Sequence, residues 1–166
     1  MRNFIFVTSS VYILLLAVLN LISGCQPNSN PAEKYAYPKN QRGPSPNHEV
    51  KTINQYSETG SYSVAATYPF FENLENKASF ANLNGEFYKY AQEEVKRFKI
   101  KCLDSNSKGN DLNLHYDLYT IGDSLLIIEW IYHIKMDNQP EQVQRVAYKY
   151  DLKTGKNLGK PEQPNN

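Results

Sequence analysis

The sequence predicts an α+β domain, with an antiparallel sheet in ββ-α-βββ order and one long helix packed across one face. Three observations carry that reading. Tyr62, Val64, Ala66 and Tyr68 alternate with smaller residues, the period of a strand. Phe80, Leu83, Phe87, Ala91, Val95 and Phe98 recur at spacings of three and four, the period of a helix with one apolar face. Between Leu112 and Tyr150, three more strand-like runs are separated by Gly122-Asp123 and Asp137-Asn138-Gln139-Pro140, and connections this short favour antiparallel neighbours. The chain has 166 residues, one domain's worth.

Residues 1–24 are expected to lie outside that domain. Met1-Arg2-Asn3 is a short basic start, Phe4 to Ile22 is mostly apolar, and Ser23-Gly24-Cys25 follows. This is the layout of a secretory signal with a small-residue cleavage site. A Cys directly after Ser-Gly resembles the bacterial lipobox, in which that Cys becomes the diacylated first residue of the mature chain. Cys25 is therefore the expected lipidation site. A membrane-spanning anchor is the competing reading, since 19 residues suffice to span. Thr8, Ser9, Ser10 and Asn20 dilute the run, and no basic cluster follows it.

Residues 25–49 read as a lipidated, Pro-rich tether. Five of the nine prolines fall here and no apolar period does, so the segment is a semi-rigid spacer rather than core. At about 3 Å per extended residue it would reach on the order of 70 Å. The domain is expected over residues 50–156 and is expected to fold without the tether, because the tether supplies no periodic apolar face. Val50 to Ser57 and Ser61 to Phe70, joined by Glu58-Thr59-Gly60, read as a hairpin, with Pro69 closing it.

The helix follows, with Asn76 as expected cap and Lys96, Arg97, Lys99 and Lys101 toward its C-terminal end, where cations suit the dipole. Gly85 lies inside it and suggests close helix-to-sheet packing, at a cost of about 1 kcal/mol against Ala. The loop from Asp104 to Asn110 leads into an alternating strand, Leu112 to Tyr119. Leu125 to Ile134 is apolar on both faces and reads as the central strand. Gln142 to Tyr150 is the last strand, and Asp151 to Lys156 is a turn with Gly155 in the left-handed position. Residues 157–166 read as a disordered tail. Met136 is the only methionine after the signal segment, so aromatics must fill the core.

Charge excludes one class of partner. There are 18 Lys+Arg against 17 Asp+Glu, and losing Arg2 with the signal leaves 17 against 17. No basic field for nucleic acid exists, and the Tyr-rich strands lack the clustered cations that base stacking needs. By strand parity His115, Asp117, Glu129 and His133 share one face, a polar cluster. A metal site would want more ligands at matched height, and a solvated face with cross-strand charge pairs accounts for the same residues. No catalytic residue, metal or cofactor is assigned. Cys102 has Lys99 and Lys101 nearby, yet fits a small buried residue at a helix end. Thr154-Gly155-Lys156 lacks the glycine run of a phosphate loop.

Tyr68-Pro69, then Leu114, Tyr116 and Tyr119, then Leu125 to Ile134, then Tyr150-Asp151-Leu152-Lys153-Thr154-Gly155-Lys156 follow in order. In that order they resemble the extracytoplasmic domain of PdaC-type peptidoglycan deacetylases and RsiV-type anti-sigma factors that bind lysozyme. The resemblance covers roughly residues 55–156 and the N-terminal half of that domain. Met136 to Pro140 stands where the family has Gly-Gly-Ala-His, so no lysozyme-contacting residue carries over. The resemblance implies an envelope domain that touches glycan, a wall enzyme or another envelope protein.

The expected function is a non-catalytic, lipid-anchored binding or sensing module of the cell envelope. Its expected partners are the membrane, through the anchor, and an envelope protein or peptidoglycan. The alternative is a small inhibitor of a wall-degrading hydrolase such as lysozyme, presenting loops at Gly122-Asp123 and at Asp137 to Pro140. Gln26 rather than Asp follows the Cys, and by resemblance to the lipoprotein sorting rule of enteric bacteria this implies outer-membrane retention in a host that has an outer membrane.

Overall fold

The computed structural model describes residues 37–72, 77–105, 108–137 and 139–161. A 3-10 turn at Lys39–Gln41 opens the order. β1 (Glu49–Tyr56), β2 (Tyr62–Phe70), α1 (Lys77–Ser105), β3 (Asn110–Ile121), β4 (Leu125–Lys135) and β5 (Gln142–Asp151) follow. The strands form one sheet in the order β1-β2-β3-β4-β5. Three pairings are antiparallel, but β2 and β3 are parallel. This corrects the purely antiparallel sheet, and the opening turn departs from the expected order. The helix is the cause. Its 29 residues rise about 1.5 Å each, enough to carry the chain back past the start of β2. β3 therefore begins beside Tyr62, with Tyr62 opposite Asn110, and must run the same way as β2.

Asn110 fixes that starting point. Its side-chain amide donates to Ser61 O at 2.8 Å, and its Oδ1 accepts from Asp137 N at 2.9 Å. One buried side chain thus ties the β1–β2 turn, the start of β3 and the end of β4. At the other end of β2, Asn84 of α1 imitates a strand partner. It accepts from Phe71 N at 2.8 Å and donates to Phe71 O at 2.9 Å.

The core lies between α1 and one sheet face. Leu83, Phe87, Ala91, Val95, Phe98 and Cys102 from the helix meet Val64, Ala66, Leu112, Leu114, Leu126, Ile128, Trp130 and Tyr150 from the strands. Aromatics do fill it. Phe87 meets Trp130 and Tyr150 edge-on, at 6.3 and 5.2 Å between centroids, and Tyr90 stacks on Trp130 at 4.7 Å. Such pairs add roughly 0.5–1.5 kcal/mol beyond their buried area. Trp130 Nε1 is buried without a hydrogen-bond partner among the described residues, a cost that this packing offsets. α1 runs on to Ser105, so none of the expected cations sits in its last turn. Asn76 lies outside the described residues. Among the described residues, no helix is long and apolar enough to cross a membrane.

β2 and β3 pair only from Tyr62–Ala66 with Asn110–Leu114 and then part. Pro69 therefore sits where β2 pairs with β1 alone, and the strand continues to Phe70. The freed part of β3 meets the incoming chain. Gly43 N donates to Thr120 O at 2.8 Å, and Thr120 Oγ1 donates to Pro44 O at 3.1 Å. His48 Nδ1 donates to Pro46 O at 2.8 Å, which leaves Nε2 to accept the Tyr116 hydroxyl at 3.0 Å. Residues 42–48, expected as spacer, are thus packed against the sheet. A carbonyl and hydroxyls of β3 supply partners that Pro-rich composition did not reveal. Residues 157–159 likewise extend the fold, with Leu158 N donating to Lys149 O at 2.7 Å and Lys149 N to Gly159 O at 2.8 Å.

Candidate functional site

Two places on the domain gather polar side chains. The first is the sheet face away from α1. Asp117 stands opposite Glu129, His115 opposite Ile131 and Asn113 opposite His133. The two imidazoles are diagonal neighbours and stack, centroids 5.1 Å apart and planes 26° from parallel. His133 Nδ1 lies 2.9 Å from Glu141 Oε1. Burial, and then His133, push the His115 pKa down.

The carboxylates have other partners. Glu129 is 2% exposed. Its Oε1 accepts the Tyr119 hydroxyl at 2.6 Å and lies 3.3 Å from Arg42 Nη2. Arg145 Nη1 lies 3.8 Å from Glu129 Oε2 and 3.7 Å from Asp117 Oδ2. The Arg42 guanidinium also covers the Tyr119 ring at 4.3 Å.

The expected quartet of His115, Asp117, Glu129 and His133 is on one face, but it divides. Both carboxylates face arginines and both imidazoles stack on each other. Among the described residues, no group of three or more His, Cys, Asp or Glu is arranged to hold a metal ion. The arrangement satisfies a buried carboxylate and locks residues 37–43 to the sheet. Arg145 was legible from strand parity. Arg42 was not, since 87 residues separate it from Glu129.

The second place is a groove of about 570 Å³ between the N-terminal half of α1 and the turn after β5. Asn82, Gly85, Glu86 and Lys89 line one side, and Thr154, Lys156 and Asn157 the other. The turn wall is fixed from within. The Asp151 carboxylate accepts Lys153 N, Thr154 N and Thr154 Oγ1 at 2.9, 2.8 and 3.0 Å, and these bonds hold its pKa down. Gly155 takes φ 68°, and a Cβ there would lie 2.3 Å from Ser79 O. The turn therefore abuts the first turn of the helix. Gly85 does the opposite of what its position suggested. Nothing lies within 4 Å of where its Cβ would be, so it serves no close packing and leaves the groove open. A smaller hollow of about 140 Å³ by Glu94, Arg97 and Tyr132 falls below the usual range of ligand pockets.

Cys25 lies outside the described residues. Cys102 is buried in the core, and burial pushes its thiol pKa up despite Lys101. The two loops named for presentation, after β3 and after β4, sit at opposite ends of β4, whose 11 residues span about 35 Å.

No family model matches the sequence, and no curated protein matches it. Among solved structures, the chain is similar to a DUF3298 family protein from Pseudomonas aeruginosa PAO1. The TM-score is 0.46 at 15% identity, over 69% of this chain and 56% of that one. This chain thus spans just over half of that neighbour's length, and no residue role is taken from it.

Proposed function

We propose that this protein is a lipid-anchored binding module of the cell envelope, holding a wall component or a wall-active protein without turning it over. The single observation behind binding is the groove, whose size falls within the roughly 300–1,000 Å³ of small-molecule sites. Its walls are a long helix and a turn stiffened by six internal hydrogen bonds, so little conformational freedom remains to be lost on binding. The envelope location rests on Ser23-Gly24-Cys25 behind an apolar run and on the Pro-rich segment after it. The resemblance to the PdaC-type and RsiV-type extracytoplasmic domain supports the same location.

The test uses the lipidated protein in detergent. Calorimetry against disaccharide-peptide fragments of the wall, and capture of wall hydrolases, should show binding. Mass spectrometry of the fragments should show no cleavage. Turnover of any fragment, or binding of none of these partners, would overturn the proposal.

A further inference from the structure

We infer that the groove between α1 and the turn after β5 takes a short peptide carrying both a free amine and carboxylates. This inference rests on the proposed envelope reading, in which the source of that chemistry is the stem peptide of the wall. Four features of the site favour it. The charges are of both signs: Glu86 and Lys89 stand on the helix and Lys156 on the turn. Among the described residues none of the three has an ion-pair partner within 4 Å. Two cations and one anion complement a ligand with more carboxylates than amines.

The neutral polar lining is Asn82, Thr154 and Asn157. Thr154 Oγ1 is engaged with Asp151 and Lys156 N, and the Asn157 amide already donates to the Tyr150 hydroxyl and accepts from Gly159 N. The Asn82 amide and the second Asn157 Nδ2 proton are what the lining offers to peptide groups. Among the described residues no aromatic side chain lines the groove to carry a sugar ring, which turns the choice toward peptide and away from glycan. Gly85 completes the case. A glycine at an exposed position inside a helix costs about 1 kcal/mol against Ala, and here no packing contact offsets it. What its missing side chain provides is room for a backbone to lie against the helix between Glu86 and the turn.

The experiment uses the full lipidated chain in detergent micelles. Its probe is fluorescent Ala-γ-Glu-diaminopimelyl-Ala tetrapeptide. Controls are the same peptide acetylated at its free side-chain amine, and an N-acetylglucosamine oligomer. The tetrapeptide should bind and the oligomer should not. Acetylation should weaken binding about fivefold in the wild type and leave Glu86→Gln unaffected, because the lost ion pair is then already absent. Gly85→Phe should weaken binding more than about tenfold by filling the groove. Lys156→Glu, a surface change that leaves the turn's internal bonds intact, should weaken it as well. Circular dichroism confirms folding of each variant.

Tetrapeptide binding unchanged in both Gly85→Phe and Lys156→Glu overturns the groove assignment and leaves the envelope reading standing. Binding of the oligomer alone overturns the peptide assignment. Failure of every wall fragment and hydrolase in the separate panel overturns the envelope reading itself.

Discussion

Gly155 shows how a single hydrogen in place of a methyl sets the geometry of a site. Its φ of 68° suits glycine, and the Cβ of any other residue would drive into Ser79 O. Backbone oxygen cannot swing away as a side-chain tip can. Gly155→Ala should therefore cost about 2–3 kcal/mol, read as a lower urea midpoint, and a loss below about 0.5 kcal/mol would show that the turn yields freely. Gly85→Ala should do the reverse and raise the midpoint, since its methyl meets nothing. His115 gives a pH signature. Its folded pKa is lowered, so below about pH 6.5 the unfolded chain takes up a proton that the fold resists. The contribution of His115 is thus flat at higher pH and becomes destabilising as pH falls through that range. Denaturation at pH 7.5 and pH 5 should show a smaller difference in His115→Gln than in the wild type. An equal difference would assign the pH dependence to other groups.

At the scale of elements, the segment before β1 carries the main surprise. Gly43 lies so near Thr120 that a Cβ would sit 2.4 Å from Oγ1, and Arg42 reaches the buried Glu129 from the same segment. A chain starting at residue 37 should consequently outlast one starting at residue 50, which leaves Glu129 with only Tyr119 and the more distant Arg145. Arg42→Met should cost about 1–3 kcal/mol for the same reason, and Arg42→Met with Glu129→Gln should recover part of it. Equal stability of the two chain lengths would mean that the segment only rests on the surface. This was illegible because the contacts span most of the chain and the segment has no period. The helix and each strand were legible, since burial on one face writes itself into spacing. The parallel β2–β3 pair was not, because alternation fixes which face a residue takes and not which neighbour it meets. Half of the polar face was legible by the same parity rule, and the groove was not, since it forms where two distant turns of chain close on each other.

For the whole molecule, the outstanding question is attachment. Net charge is nearly balanced, so the fold brings no general attraction to anionic lipid, and in the proposed function attachment comes from acyl chains. Each buried CH₂ contributes about 0.8 kcal/mol, and stable anchoring takes more than one chain. The thioether that begins that modification needs the sulfur of Cys25, and Ser23 and Gly24 are small enough to enter a peptidase. Cys25→Ser should therefore leave the leader uncleaved or miscleaved and abolish incorporation of labelled palmitate. The groove residues lie in a part of the chain that the substitution does not touch, so tetrapeptide affinity in detergent should be unchanged. Loss of affinity would instead tie binding to the anchor. Palmitate that still enters Cys25→Ser would remove the lipid anchor from the proposal and leave a secreted or membrane-spanning protein in its place.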